Sequence, residues 1–331
     1  MKRVRSTYFV LLLAIAGKVL GQDFHLSQYD AAPLFLNPAM TGLVETKERA
    51  HLHYRSQWGA VANKPFTTAL ASYDVPRGKW GFGGQIVNMR AGTPSYNVLQ
   101  LLGSASYAVS IDKDKFHNLS LGLQVGFNQK RLEYESLTFE TQWTTANGGS
   151  FDKSLPSSES FVAQSFFQEV VNFGALYYYG KQQTRLNPFV GFSAFNLTTP
   201  KDAFLLSASR LPRRYYMHGG FRFNLSEILY VIPKMLVYTQ AKTIQQTYAV
   251  DAGYYFKGEK FFALTGYTFR KNDASVVYVG LKRDNYIAKL SYDLNTSSLR
   301  GVSKTRGAYE LSFTWLGRKV KESEIKSCPR L

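Results

Sequence analysis

Among 331 residues the chain has five histidines and one cysteine, and only two of these stand at a spacing that suggests chemistry. His51 and His53 are two apart in an extended segment, which puts both imidazoles on one face where a metal could sit between them. No third His, Cys or carboxylate is tied to them by spacing, so a solvated wall facing a lumen explains them more simply. Asp112 and Asp114 fall at a turn, where Asp is favoured for backbone reasons. Gly81-Phe82-Gly83-Gly84 is as glycine-rich as a phosphate cradle, yet it lies inside a strand pattern and no helix pattern follows. Glycines there permit close packing or curvature of a wall. A single cysteine, Cys328, rules out an internal disulfide framework and any Cys-rich metal site. With no Ser/His/Asp set to place together, the chain reads as a non-enzyme, and no cofactor or metal is implied.

What would position such residues is a long series of strands. Period-2 alternation recurs along the chain, as a strand with one apolar and one polar face requires. In Arg49–Trp58 the set Ala50, Leu52, Tyr54 and Trp58 opposes Arg49, His51, His53, Arg55 and Gln57. Within His117–Lys130, Leu119, Leu121, Leu123, Val125 and Phe127 oppose Ser120, Gly122, Gln124, Gly126 and Asn128. Comparable runs cover 49–58, 64–74, 80–90, 96–109, 117–130, 168–179, 186–197, 214–225, 233–242, 246–256, 261–270, 274–283, 286–295 and 307–316. Most are near the ~9–11 residues a tilted strand needs to cross a bilayer. The expected fold class is all-β, a transmembrane outer-membrane barrel of about fourteen antiparallel strands. A porin-like passive channel shares that fold, and Arg49, Arg55 and Lys130 could line its water. A soluble exported β-protein is the third possibility.

The first residues carry an export signal: Lys2, Arg3 and Arg5, an apolar core over Tyr8–Gly17, and a cut before Gln22. Gln22 stands where a lipoprotein would need Cys, and no window is apolar for the length of a membrane helix. Removing Lys2, Arg3, Arg5 and Lys18, with no acid among residues 1–21, lowers the formal charge from +17 to +13. For an exported protein, that charge points to anionic lipid, polysaccharide or acidic protein faces and away from nucleic acid, unless the cations line a lumen. Aromatic residues make up 15%, with 26 Gly and 22 Tyr, a balance that suits a barrel with aromatic belts.

Loop lengths set an orientation. The longest links, 131–167, 198–213 and 296–306, all join an odd-numbered strand to the next even one, so they share one side, the outward side if both termini are periplasmic. Link 131–167 offers a recognition loop, an unconstrained tip or a lumen plug. Trp58, Trp80 and Trp315 lie at strand ends, where ring-bearing residues with one polar edge form girdles at the lipid–water boundary.

Between the export signal and the first strand, Gln22–Gly42 is too apolar for a solvated linker, and Pro33 and Asn37-Pro38 break any ladder or helix. It is expected to be a latch packed on the main domain or a docking surface. Its order, Ser27-Gln28-Tyr29, then Asn37-Pro38-Ala39, then Gly42, resembles the opening of the PorP/SprF family. Arg55-Ser56-Gln57-Trp58-Gly59 with Pro65 and Asp74-Val75-Pro76, then Tyr216–Phe223, Pro233-Lys234, Gly266-Tyr267 and the tail Cys328-Pro329-Arg330 follow in family-like order. These are outer-membrane proteins associated with the type IX secretion system and gliding motility of Bacteroidetes. The resemblance implies a component or accessory that helps secreted cargo, such as gliding adhesins, reach or stay on the cell surface and that contacts periplasmic machinery. It also implies a periplasmic docking face built from Ser27, Gln28, Tyr29, Leu34, Phe35, Asn37, Pro38 and Gly42 together with Cys328, Pro329 and Arg330. The expected organisation is a signal peptide over 1–21, a motif segment over 22–48, the barrel over 49–316 and a periplasmic tail over 317–331.

Overall fold

Alternating faces can all be satisfied at once only if the sheet closes on itself, and it does. The structure, a computed structural model, describes residues 24–59, 64–92, 96–145, 148–181, 184–204, 209–298 and 300–319. Its wall runs β1 (Arg49–Gln57), β2 (Phe66–Arg77), β3 (Trp80–Ala91), β4 (Tyr96–Ser110), β5 (His117–Arg131), β6 (Ser165–Tyr179) and β7 (Leu186–Phe195). It continues through β8 (Arg214–Asn224), β9 (Leu229–Gln240), β10 (Thr243–Phe256), β11 (Phe261–Arg270), β12 (Ala274–Arg283), β13 (Tyr286–Asn295) and β14 (Arg306–Leu316). Each strand pairs antiparallel with its sequence neighbours, and β1 closes on β14 with Arg49 opposite Leu316 and Gln57 opposite Ala308. Closure leaves no sheet edge unpaired, the condition for β-structure in a bilayer.

The two faces divide as the alternation requires. On β5, Leu121, Leu123 and Val125 are 46%, 51% and 49% exposed, whereas Ser120 and Gln124 are buried. A broad band of such residues, including Leu52, Leu101, Val190, Val250, Val277, Leu290 and Leu311, faces outward. In water so large an apolar surface would be untenable, and in lipid it is the contact surface. Inward positions are mostly polar: Gln85, Asn128, Asn172, Thr247, Ser291 and Ser312 are buried in the barrel.

One rim has short turns, such as Gly78-Lys79, Lys257–Lys260 and Asp284-Asn285; the other carries the three long links. Strand ends differ from the sequence pattern chiefly near proline. β2 extends through Val75-Pro76-Arg77, beyond the run that ended at 74, because Pro76 lies one residue from the strand end opposite Gly81. β9 begins at Leu229, ahead of Pro233, and its ladder to β8 lapses between Lys234 and Val231, around the residue with no N–H to donate. The described part of link 131–167 holds 3₁₀ turns and a small hairpin pairing Trp143 with Phe151, both rings exposed.

Candidate functional site

The lumen is filled, and by the segment that precedes the wall. From Phe24 the chain passes along the barrel interior to Thr46, which bridges Lys319 at the short-turn rim. Two short turns shape it: a helical turn, Pro33–Leu36, and a 3₁₀ turn, Pro38–Met40, each started by a proline whose missing N–H costs nothing at that position. Leu26, Tyr29, Leu34, Phe35, Leu36, Ala39 and Met40 are buried. Tyr29, Leu36, Ala39 and Met40 pack on wall residues such as Leu176, Tyr178, Phe189 and Tyr216 in one cluster, and Leu26 and Phe35 pack on Leu70 and Val87 in another.

Asn37 fixes the middle of the plug. Its Nδ2 lies 3.0 Å from the Ala175 carbonyl, 3.2 Å from that of Phe192 and 3.1 Å from His218 Nε2, while its Oδ1 accepts from the Ala39 N–H at 2.9 Å. Around it the wall is glycine. A Cβ on Gly122 would stand 2.3 Å from the Pro38 carbonyl carbon, and one on Gly174 would stand 2.0 Å from Asn37 Oδ1. Serines seat the remaining carbonyls: Ser193 donates to Leu36, Ser120 to Ala39 and Ser106 to Thr41, at 2.6–2.8 Å. Gly81, inside the glycine run of β3, admits the Thr41 carbonyl, so that run is a seat and not a phosphate cradle.

Nearer the long-loop rim the attachment is ionic. The Glu310 carboxylate accepts the backbone N–H groups of Ser27 at 2.6 Å and Gln28 at 2.8 Å, and it also pairs with Arg55 and with His53 Nε2. Ser27 Oγ donates to Asp293 at 2.6 Å and accepts from Arg55 and Arg270. The Gln28 amide bonds Ser291 and Ser312. Lower down, Lys234 pairs with both Asp30 and Asp251, and Arg49 grips Asp74 while donating to the Met40 carbonyl. Wall cations that could have lined open water are thus neutralised; Arg49 and Arg55 are tied into the plug's contacts, and Lys130 pairs with Asp202. Two cavities flank the plug: about 600 Å³ toward the long loops and about 520 Å³ toward the short turns.

Ser27, Gln28, Tyr29, Leu34, Phe35, Asn37, Pro38 and Gly42 are therefore together, but inside the wall and buried. They do not form an exposed docking face, because their polar atoms and apolar surface are used up on the barrel interior. Of the two expectations for this segment, the packed latch fits, with the lumen as its site. Cys328, Pro329 and Arg330 lie outside the described residues, as do residues 1–21, the expected export signal. Trp80 (50% exposed, 4.8 Å from the Tyr107 ring) and Trp315 sit at the short-turn rim. Trp58 departs from the girdle expectation: held at φ +61°, it lines the cavity at the long-loop rim and packs on Phe66. His51 and His53 face the lumen with rings 5.7 Å apart, engaged by Thr314 and Glu310, and no cluster of metal-ligating residues exists among the described residues. The ends of the wall share a rim, but Phe24 and His25 lie at the opposite one, where His25 meets Asp273 at 3.4 Å. Wall ends and plug start are thus on opposite sides.

The missed partners were Glu310, Asp293, Arg270 and His218. Each is an inward residue on an alternating strand, and a lone charge or imidazole in such a row was the available signal.

The family profile described as "Type IX secretion system membrane protein PorP/SprF" matches residues 19–315. No curated protein matches the chain. Among solved structures, the Ralstonia pickettii toluene transporter TbuX is similar with a TM-score of 0.52 at 10% identity, over 87% of this chain and 94% of that one. The P. putida toluene transporter TodX is similar with a TM-score of 0.50 at 9% identity, over 86% and 93%. At such identities the likeness is one of fold, that of outer-membrane barrels.

Proposed function

This chain belongs to the PorP/SprF family of type IX secretion system membrane proteins, and from that premise we propose that it is a non-enzymatic outer-membrane component or accessory of that system. In this reading it assists secretion or surface attachment of specific cargo, gliding adhesins or similar, and contacts the periplasmic machinery. The short-turn rim faces the periplasm and the long loops face outward, following the usual asymmetry of bacterial barrels.

The observation that carries the proposal is the filled lumen. A barrel whose interior is bonded to its own leading segment offers an address in the membrane and two shaped ends, not a standing pore. Exposed Trp143 and Phe151 on the outer hairpin supply recognition surface for cargo. The tail with Cys328, Pro329 and Arg330 remains part of the proposed periplasmic contact.

Deletion of the gene followed by proteomics of the cell surface tests this. Loss of a specific subset of type IX cargo from the surface is expected. Normal secretion and attachment of every such cargo in the deletion strain would exclude it.

A further inference from the structure

The lipid-facing surface carries a furrow of about 540 Å³ across β10–β13. Its floor is a row of smaller side chains, with Ala252 opposite Thr265 and Thr265 opposite Val279. The row toward the long-loop rim is bulkier: Val250, Tyr267, Val277 and Tyr292 stand opposite one another in turn. Thr265 Oγ1 donates to the Tyr278 carbonyl at 3.0 Å, so the floor presents hydrocarbon with a satisfied hydroxyl. Above the furrow comes a polar step, where the Tyr267 hydroxyl and Ser275 Oγ lie 3.1 Å apart.

Beyond that step the rim is basic. Lys242, Lys271, Lys304 and Arg306 are exposed there, and none of them has an ion pair among the described residues. Residues 296–306 contain no acid. Asp273, the acid of the β11–β12 turn, is held by Arg270 at 2.7 Å and lies 3.4 Å from His25. At the other ends of these strands charge is balanced, with Lys257 3.9 Å from Glu227 and Arg283 3.9 Å from Asp284. Depth agrees as well. Along β11, Thr265 lies about 20 Å from Lys271 at ~3.3 Å per residue, and a strand tilt of about 40° makes that roughly 15 Å of depth, one leaflet of hydrocarbon.

We propose that this face binds an outer-leaflet lipid with phosphates on a sugar headgroup, the phosphates meeting Lys242 and Lys271 and one acyl chain lying in the furrow. The carbonyls that join chain to headgroup then come level with the Tyr267 and Ser275 hydroxyls. The site goes beyond the cargo role and takes from that reading only the orientation of the barrel. Charge complementarity selects the occupant, since each unbalanced cation at a membrane surface attracts anionic lipid. Lys242 and Lys271 cap turns two strands apart, about 10 Å at ~4.8 Å per strand, the spread of a bisphosphorylated disaccharide and more than one phosphodiester covers. A second copy of the chain docked by a two-fold axis would bring the same cations together.

The test uses the full-length protein in a non-ionic detergent with hexa-acylated, bisphosphorylated lipid A, read by native mass spectrometry. A saturable one-to-one adduct is expected, weakened about tenfold by the pair Lys242→Gln and Lys271→Gln. Ala252→Phe, which fills the furrow, is expected to weaken it several-fold. The pair Lys153→Gln and Lys201→Gln, exposed elsewhere at the long-loop rim, and Ala69→Phe on the outward face of β2 are expected to leave it unchanged. Retained heat-modifiable gel mobility shows that each variant is folded. Undiminished binding by the Lys242/Lys271 pair or by Ala252→Phe overturns the proposal. So does equal retention of phosphatidylglycerol, which marks a general anionic-lipid surface, or displacement by the phosphorylated disaccharide stripped of its acyl chains. A dimer mass in place of the lipid adduct makes a second copy the occupant and also overturns it. Orientation is checked separately, by labelling a Cys328→Ser chain that carries Lys271→Cys on intact cells with a membrane-impermeant maleimide. Absence of label sinks the orientation and the outer-leaflet site with it, while label without a lipid A adduct sinks the site alone and leaves the cargo role standing.

Discussion

Asn37 Oδ1 occupies the space that a side chain on Gly174 would need, since a Cβ built there would stand 2.0 Å away. The plug turn and the wall therefore fit only as glycine against Asn-Pro. The same turn meets Gly122 and Gly191, whose added Cβ atoms would lie 2.3 Å from the Pro38 carbonyl carbon and 2.4 Å from His218. Substituting Gly174→Ala forces the turn away from its hydrogen bonds to Ala175 and Phe192. A loss of about 1–3 kcal/mol is expected for such overpacking, read as a lower unfolding midpoint in detergent with faster hydrogen exchange over residues 36–41. An unchanged midpoint and unchanged exchange would show that the contact is not limiting.

Glu310 is the hub of the upper attachment. Its replacement by Gln keeps the shape but leaves Arg55 with half its compensation and removes the charged acceptor of two plug N–H groups. Breaking a buried pair in this way costs roughly 3–5 kcal/mol. Urea titration followed by tryptophan fluorescence should show that loss, whereas a lipid-facing Leu311→Ala change alongside it should show much less.

Conductance distinguishes a plug from a passing contact. The intact protein in planar bilayers is expected to be silent, because the cavities on either side of the segment are separated by it. A variant lacking residues 24–41 is expected to give steady steps of current. Equal steady conductance from the intact chain would favour the passive channel.

Acidity should loosen the top of the plug. Burial lowers the His25 imidazole from its ordinary value of 6.5, and the Arg270 charge adds to this while Asp273 opposes it. A depressed histidine favours the neutral ring in the seated state, so seating is strongest above 6.5 and weakens as pH falls below it. At Asp273, burial acts to raise the carboxyl, and His25 with Arg270 outweighs it, holding it well below the usual range. Its contribution persists until pH falls below the ordinary carboxylate range. Protection factors over residues 24–30, corrected for intrinsic rate, should fall between pH 7.5 and 5.5, and His25→Gln should remove the change. Equal protection at both pH values in the unaltered chain would refute the effect.

The lipid face can be checked at the middle of β5. Leu123→Arg places a cation in hydrocarbon and should cost about 2–4 kcal/mol, while Gln124→Asn, one residue on and facing the plug, tests a different environment. If Leu123→Arg is neutral in liposomes, the outward face has been misassigned.

Sequence alone determined the wall. All fourteen strands, the outward set Leu121, Leu123 and Val125, the inward set His51, His53 and Arg55, and the side shared by the long links follow from alternation and turn residues. These are local properties, since a strand's two faces and its turn chemistry are written within about ten residues. Tertiary structure decided what fills the wall. Nothing near Ser27 points to Glu310, which is 283 residues away in sequence and reached only when β14 closes on β1. For the same reason Ser27 to Gly42, apolar enough to dock on something, could not be told from an external docking surface until closure made a lumen around it. Trp58 turned inward because its backbone leaves the strand at positive φ, which alternation does not encode. A periodic pattern says which way a side chain points, and only the closed ring of pairings says what it meets there.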